Sequence, residues 1–471
     1  MLRRFFALDE NQTTTRTELV AGVTTFLTMA YIIFVQPAVL SGAMFGKPTG
    51  MDFGAVTTAT CLSAAIASAI MGLYARYPIA QAPGMGQNFF FVLSAVPAAA
   101  AAGFANAWQV ALGVVFISGV LFLLLSFFGA REAVMDAISP SLKNGIAAGI
   151  GLFIAFIGLQ NAGLILKDPG TAVKLNPHFA SPDLLVFFFG LLLAAALHAR
   201  RVAGSILWGI VGATLLAVTL KFLLPHLPAS ISASPLVSES LLMKRFVVAK
   251  GLVAAPPALA PTFLKMDLVR ACSWSMAPFI IVFLFMVLFD TVGTLIGVAE
   301  QAGFIKDNRL PRANQAFVSD ALATTLGACL GTSTVTSYIE SAAGVEQGGR
   351  TGLTALTAGA LFLLALFFSP VIAMIGSYAP ITAPALVLVG AMMIRNVSKI
   401  AWTDFTEGVP AFLIMIGIPL TYSIGDGLAL GFMSYPILKL LAGRGREAKP
   451  LFYGLGIVLA LYFLFVRAKF G

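Results

Sequence analysis

Residues 280–298 read IIVFLFMVLFDTVGTLIGV, an apolar run with one carboxylate, Asp290, near its middle. Residues 331–344, GTSTVTSYIESAAG, are rich in Gly, Ser and Thr and carry a second acid, Glu340. A charge near the centre of a bilayer costs a few kcal/mol or more, so such a residue usually faces a cavity and has a function. The two acids therefore predict a buried polar site for a solute, an ion or a proton.

The composition predicts a helical protein that crosses a membrane many times. Of the 471 residues, 59% are hydrophobic and only 10% are charged, and the mean hydropathy is +0.94. A soluble chain carries about 25% charged residues. The isoelectric point near 9.5 does not indicate nucleic-acid binding, because the Lys and Arg residues lie mostly in short loops between apolar segments.

The basic residues occupy alternate short loops, as expected for cytoplasmic loops. The pattern places the N-terminus in the cytoplasm, and the first apolar segment near Leu19 would act as its own insertion signal. The opposite short loops hold only Lys47, Lys167 and Lys174. The cytoplasmic set includes Arg3, Arg4, Arg16, Arg76, Arg200, Arg201, Arg312, Arg350, Arg395, Lys399, Lys439, Arg444, Arg446 and Lys449.

The apolar segments number fourteen, seven in each half of the chain, with a connecting loop over residues 225–274 between the halves. An odd number of crossings turns the second half upside down relative to the first, an arrangement common in secondary transporters. The segments cover roughly residues 19–36, 53–74, 79–97, 107–128, 143–163, 183–199 and 205–224, and then 276–298, 314–330, 333–347, 352–376, 380–394, 409–424 and 426–442.

Segments 3 and 10 are poor continuous helices. Segment 3 reads AQAPGMGQNFFFVLSAVP over residues 80–97, and segment 10 is the Gly-, Ser- and Thr-rich stretch around Glu340. Pro, Gly and β-branched residues all disfavour an unbroken helix. Broken segments at matching places in two halves indicate a transporter's binding site. The alternative is that the glycines only allow close helix packing.

A further apolar stretch follows the fourteenth segment, within a C-terminal tail over residues 443–471. It covers about residues 451–466 and is marginal in length for crossing a bilayer. The sequence leaves open whether it spans the membrane, lies tilted or packs as an accessory helix.

Several stretches resemble signatures of the AzgA-like purine permeases, which belong to the nucleobase:cation symporter-2, or nucleobase–ascorbate transporter, superfamily. The resemblance covers about residues 10–442. The stretches that carry it are RTELVAGVTTFLTMAYIIFVQP, APGMGQN, GIAAGIGLFIAFIGLQNAG, FDTVGTLIGVAEQAG, SDALATTLGACLGTSTVTSYIESAAGVEQGGRTGL and TEGVPAFLIMIGIPLTYSI.

The resemblance implies an all-α polytopic fold of fourteen transmembrane segments, built as two inverted repeats over residues 1–224 and 275–442. It implies a core domain from residues 19–128 and 276–376, and a gate domain from residues 143–224 and 380–442. It also implies proton-coupled uptake of purine nucleobases by alternating access across the bacterial inner (plasma) membrane. The sequence does not decide which purine is preferred, or whether a homodimer forms through the gate domain.

The resemblance also assigns roles to individual residues. Asp290 resembles the segment-8 acid that recognises the base, and Glu340 resembles the glutamate that does so from segment 10. Tyr338 lies where a related uracil transporter has an aromatic lining residue, and Asn88 matches the segment-3 asparagine. Thr294 falls where uracil and xanthine relatives often carry a histidine. Asn88, Thr294 and Tyr338 also have a purely structural interpretation, in backbone satisfaction, interhelical hydrogen bonding or packing.

Two positions depart from the family pattern. Gln87 and Phe89 flank Asn88 where the family usually has a small or aliphatic residue before it and a small one after. Val287 stands where the family commonly has a second aspartate. Phe89 would narrow the pocket, stack on the base or simply pack in the core, so these departures leave the substrate preference open.

The coupling ion is expected to be a proton, because a buried carboxyl group can hold one near neutral pH. Asp290 or Glu340 is the first candidate for carrying it. Asp320, which matches the segment-9 aspartate, is the second, with a cap or a hydrogen bond to a Ser or Thr of segment 8 as its structural alternative. Coupling to Na⁺ stays open, because carboxylates and carbonyls also bind that ion. No metal site or other cofactor is expected.

Other functions are less well supported. A transporter of xanthine or uracil is the nearest alternative. An inorganic-anion exchanger of the same fold would need a cationic or neutral cradle, whereas the predicted site holds two acids. A channel would need a continuous polar pore. The sequence has no HExxH or GxxxxGK motif and no Cys/His cluster, so an enzyme is not expected.

Overall fold

The fold is that of a helical membrane protein. A computed structural model describes residues 2–127, 139–304 and 310–461. Within these ranges, ten helices are long and apolar enough to cross a membrane, and the strands form two sheets of two strands each. The predicted all-α polytopic class is therefore confirmed, and the count of fourteen crossings and the inverted repeat stay predictions. Residues 1 and 128–138 of the first predicted repeat, which include residue 128 of the core domain, lie outside the described ranges, as do residues 305–309 of the second repeat and core domain and residues 462–471 of the tail.

The first half begins with a helix interrupted at Ala30 and Tyr31 and contains one segment that starts as a strand. Its helices are α1 (Thr15–Met29), α2 (Ile32–Leu40), α3 (Phe53–Ile70), α4 (Met85–Ala101), α5 (Ala107–Phe127), α6 (Pro140–Asn161), α7 (Pro182–Ala199) and α8 (Ser205–Leu223). Its strands are β1 (Gln81–Pro83), β2 (Ile165–Asp168) and β3 (Ala172–Leu175).

The second half follows four short helical turns in the connection, Ala229–Ser232, Pro235–Ser238, Leu241–Lys244 and Leu268–Ala271. Its strand is β4 (Val335–Ser337). Its helices are α9 (Ala277–Ala302), α10 (Ala313–Leu330), α11 (Ser341–Glu346), α12 (Gly352–Ala365), α13 (Ser369–Gly376), α14 (Ala379–Met393), α15 (Phe405–Thr421), α16 (Ile424–Leu441) and α17 (Pro450–Leu461).

Polar caps mark where several helices begin. The side chain of Asp52 accepts a hydrogen bond from the N–H of Ala55 at 2.7 Å, and Ser139 and Ser181 cap α6 and α7 in the same way. A capping oxygen satisfies one of the N–H groups that a helix start leaves unpaired. These local signals explain why the predicted segments coincide with observed elements to within a few residues.

The helices form two packing groups. In one group, α12 packs against α1 and α3, and α10 packs against α3 and α5. In the other group, α6 packs against α14 and α15, α7 packs against α8 and α14, and α15 packs against α16. The division into a mobile core and gate stays a prediction.

The C-terminal helix α17 packs against α16. The ring of Phe452 meets those of Phe432 and Tyr435 edge-on, with centroids 5.4 and 5.3 Å apart. In the loop before α17, Arg444 donates to both carboxylate oxygens of Glu447, and these hydrogen bonds lower the pKa of Glu447 to about 2. The described part of the tail therefore packs against α16, and whether the stretch crosses the membrane stays open.

Glycines let helix α6 approach its neighbours closely. A Cβ built at Gly145 would lie 2.8 Å from the backbone oxygen of Ala411 in α15, and one at Gly158 would lie 3.0 Å from the oxygen of Ala383 in α14. Small residues allow this spacing between membrane helices. The Gly-rich stretch of segment 5 thus serves packing inside the second group.

Replacement of Gly145 by Leu is expected to force α6 and α15 apart, because its Cβ meets backbone atoms that cannot rotate away. Overpacking of this kind costs about 1–3 kcal/mol. The apparent melting temperature of the detergent-solubilised protein measures the effect. Gly454→Leu is the matched control, because a Cβ at Gly454 meets nothing within 4 Å. Equal melting temperatures for the two variants would contradict this packing.

Candidate functional site

The two broken segments meet as a pair of short strands. Strand β1 pairs with β4 in antiparallel register, with Gln81 opposite Ser337 and Pro83 opposite Val335. The pairing extends by one bond at each end, from the N–H of Gly84 to the Thr334 oxygen and from the N–H of Tyr338 to the oxygen of residue 80, both 3.0 Å. Backbone groups without a helix inside a membrane need such partners. The predicted breaks in segments 3 and 10 are therefore confirmed.

Each strand leads into a helix. Helix α4 begins at Met85 after Gly84, and no side chain caps this end. Helix α11 begins at Ser341, with Glu340 at the position that precedes its first turn. The strand pair thus fixes where both helices start, and each helix start carries a polar side chain, Gln87 in the first turn of α4 and Glu340 just before α11.

Asp290 lies half-buried on helix α9 and has a hydrogen-bond partner from the first half of the chain. The side-chain amide of Gln87 donates from Nε2 to Asp290 Oδ2 at 3.1 Å. Gln87 itself is 3% exposed. The acid of segment 8 is therefore linked directly to the first turn of α4.

Glu340 is also half-buried and also has a partner from the first half. The buried hydroxyl of Tyr31 donates to Glu340 Oε1 at 2.7 Å. Tyr31 stands at the interruption between α1 and α2. The acid of segment 10 is therefore held from segment 1.

The two acids belong to one site. Asp290 and Glu340 lie close enough for charge on one carboxylate to act on the other, and both lie near the hydroxyls of Tyr31 and Tyr338. Tyr338 is buried and its hydroxyl donates to the Pro83 oxygen at 2.5 Å. The structure thus places Asp290, Glu340, Tyr338 and Tyr31 near one another, and the substrate-binding role of the first three stays a prediction.

Asp320 is buried in a hydrogen-bond network next to this site. Its carboxylate accepts five hydrogen bonds, from the side chain of Gln81, from Thr291 at 2.6 Å, from Thr336 at 3.3 Å, and from the N–H and hydroxyl of Ser337 at 3.1 and 2.7 Å. These donors come from α9, β1 and β4. The geometry matches the structural alternative, in which Asp320 ties segments 8 and 9 to the strand pair.

Asn88 ties the two broken segments together from the other side. Its Oδ1 accepts a hydrogen bond from the hydroxyl of Ser333. Gln36 on α2 donates to Ser333 and, at 2.8 Å, to Thr332. Asn88 Nδ2 is buried and has no hydrogen-bond partner among the described residues. Asn88 therefore anchors the start of α4 and retains one donor.

The other named side chains lie deeper in the packing. Phe89 is fully buried, with its ring edge-on to Phe45 and Phe153 at centroid distances of 6.1 and 6.3 Å. Thr294 is buried on α9, one turn beyond Asp290. Val287 lies in an apolar cluster, so the place of the family's second aspartate is filled by hydrophobic packing in this chain.

The interactions of Gln87 and Tyr31 with the acids were not predicted. Both are polar side chains within otherwise apolar segments, and that signal is visible in the sequence. It does not show which acid each would reach, because the partners are 203 and 309 residues away. The pairing of β1 with β4 supplies this information.

A cavity of about 280 Å³ lies between helix α4, the start of α9 and the junction of α15 with α16. Helix α4 contributes Phe90 and Ser94, the start of α9 contributes Phe279, and the turn between α15 and α16 contributes Tyr422 and Asp426. Phe90 packs on Phe279 with ring centroids 5.8 Å apart. The cavity therefore adjoins the same helix α4 whose first turn carries Gln87.

Known proteins with similar sequences are permeases. The chain is 44% identical to the guanine/hypoxanthine permease PbuG of Bacillus subtilis over 99% of this chain and 100% of that protein. It is 39% identical to the adenine permease AdeP of Escherichia coli over 99% of this chain and 97% of that protein. Solved structures share the fold at low identity. The transmembrane domain of the cyanobacterial bicarbonate transporter BicA matches with a TM-score of 0.61 and 14% identity, over 87% of this chain and 97% of that one.

The family model agrees with these relatives and covers most of the chain. The model described as the Permease family matches residues 16–429, which include both broken segments, both acids and their two donors. The relatives transport and do not catalyse a reaction, so the protein is a membrane transporter and not an enzyme. The resemblance drawn from the motifs is confirmed, and the chain belongs to this family of nucleobase permeases.

Proposed function

We propose that this protein takes up purine nucleobases, adenine, guanine or hypoxanthine, together with protons across the bacterial inner membrane. The observation that carries the proposal is the site in which Asp290 and Glu340 interact, each with one neutral donor from the other half of the chain. The purines named for PbuG and AdeP support the substrate class. Two carboxylates in one site can accept hydrogen bonds from a small heterocycle with several N–H donors.

Base recognition follows from hydrogen-bond complementarity. A purine presents N–H donors and ring or carbonyl acceptors along its edges. Carboxylates accept N–H bonds, and the uncapped start of α4 presents backbone N–H groups as donors. A buried polar group left unpaired by the wrong ligand costs about 1–3 kcal/mol. The site would thereby distinguish bases by the order of donors and acceptors along one edge.

Proton coupling is assigned to the Asp290 and Glu340 pair. Neither acid forms an ion pair with Lys, Arg or His in the described ranges. Two carboxylates that interact in a site of low polarity favour uptake of a proton by one of them. Asp320 differs, because five donors already satisfy its carboxylate. Asp320 is therefore proposed to stabilise the contact of α9 and α10 with the strand pair β1–β4, and not to carry the proton.

In alternating access, one packing group would move relative to the other, so that the site would open first to one side of the membrane and then to the other. The cavity of about 280 Å³ lies between α4 and the junction of α15 with α16, where such a movement would change its width. The anion transporters that share the fold do not favour anion transport here, because the site presents two acids.

Asp290→Asn is expected to abolish concentrative uptake of labelled purine while the protein stays in the membrane. The amide keeps the size of the side chain but cannot bind the proton, and it replaces an acceptor by a donor. Uptake into cells or proteoliposomes, normalised to protein amount, measures this. Glu10→Gln makes the same chemical change at an exposed position and should transport normally. Undiminished accumulation by the Asp290 variant would refute the role.

Asp320→Asn is expected to lower stability more than Asp290→Asn does. The new amide cannot accept all five hydrogen bonds, and each buried donor left unpaired costs about 1–3 kcal/mol. The melting temperature and the yield of folded protein compare the two variants. A fully stable Asp320 variant that binds purine but cannot accumulate it would instead assign the coupling role to Asp320.

An imposed pH gradient, acidic outside, is expected to drive purine accumulation in proteoliposomes, and a protonophore should abolish it. Replacement of Na⁺ by choline should leave the rate unchanged, because the proposed coupling ion is the proton and the pH gradient is the same. Labelled hypoxanthine or adenine serves as the substrate. Accumulation that requires a Na⁺ gradient and ignores the protonophore would contradict proton coupling.

A further inference from the structure

Gln87 is one of two side chains in the site, with Tyr31, for which the sequence predicted no contact with the acids. It lies in the first turn of α4, is 3% exposed, and its amide donates to Asp290 Oδ2 at 3.1 Å. An ionised carboxylate only accepts hydrogen bonds, so the NH₂ end of the amide must face Asp290. The second N–H of Gln87 is then left for a ligand, beside the Oδ1 of Asp290.

Gly84 makes the room for this amide. A Cβ built at Gly84 would collide with Gln87 Oε1 and would lie 2.9 Å from Gln87 Cδ. The backbone of Gly84 has φ −73° and ψ 129°, a conformation that any residue adopts. The glycine is therefore required by the space that the Gln87 side chain occupies and not by the backbone.

We infer that Gln87 is a specificity-determining residue, which pairs with Asp290 to read one edge of the purine. Together the two side chains present a donor next to an acceptor. Guanine and hypoxanthine carry a donor, N1–H, beside an acceptor, the 6-oxo oxygen, whereas adenine carries the reverse order, an acceptor N1 beside the 6-amino donor. A fixed order of donor and acceptor on the protein therefore distinguishes the two kinds of base. The inference rests on the proposed function and names the residue that sets its selectivity.

Removal of the amide takes away the donor and frees the second oxygen of Asp290. The preferred base then loses the partner of its acceptor, the 6-oxo oxygen or N1, and the competing base, which carries its donor and acceptor in the reverse order, loses less. Sites that bond a ligand group discriminate strongly against ligands that cannot match it. Loss of Gln87 should thus bring the kcat/KM values of the different bases closer together, rather than lower all of them by the same factor.

Gln87→Met tests this inference, because Met keeps the length and apolar volume without donor or acceptor. The ratio of kcat/KM for hypoxanthine and adenine, measured with proteoliposomes, is expected to move about tenfold toward unity, equivalent to about 1.4 kcal/mol. Gln347→Met, the same change at an exposed position, should leave the ratio unchanged. Gly84→Ala, which crowds the amide without removing it, should shift the ratio in the same direction as Gln87→Met.

The outcomes separate the inference from the proposed function. Wild-type proteoliposomes that take up neither base would overturn the proposed function, and the inference with it. Wild-type transport together with unchanged ratios in Gln87→Met would overturn the inference alone. If Gln87→Met does not fold, Gly84→Ala decides, and an unchanged ratio in that variant also overturns the inference.

Discussion

The pairing of strand β1 with strand β4 is the interaction on which the site depends. A segment that breaks its helix inside a membrane exposes N–H and C=O groups that water cannot reach. Here the two breaks satisfy each other, Gln81 opposite Ser337 and Pro83 opposite Val335. Because the strands come from different halves of the chain, this pairing brings residues more than 200 positions apart into contact. Asp320, bonded to both strands, reinforces it.

The acids and their donors are divided between the halves. Asp290 and Glu340 come from the second half, and Gln87 and Tyr31 come from the first. Each acid therefore has a neutral partner when no ligand is bound. A neutral hydrogen bond restrains a carboxylate without fixing its charge as a Lys or Arg would. This arrangement leaves both acids able to exchange a partner for a substrate or a proton.

The sequence predicts the apolar segments, the breaks in two of them and the two embedded acids, but it does not predict the hydrogen-bond partners of those acids. Hydropathy and polar caps such as Asp52 and Ser139 place the segments, and Pro and Gly predict the breaks. The embedded charges identify Asp290 and Glu340. The roles of Gln87 and Tyr31 depend on strand register and side-chain direction, which no local pattern reports. Phe89, considered for stacking on the base, packs against Phe45 and Phe153. The sequence could not distinguish the two roles, because an aromatic residue in an apolar segment suits both burial and ligand contact.

The most direct test is a structure of the protein with guanine, hypoxanthine or adenine bound. The base is expected to lie between the carboxylates of Asp290 and Glu340, with at least one N–H of the ring or of an exocyclic amino group donated to each acid or to its protonated form, and with β1 and β4 still paired. A base bound elsewhere, with Asp290 and Glu340 turned away from each other, would contradict this expectation.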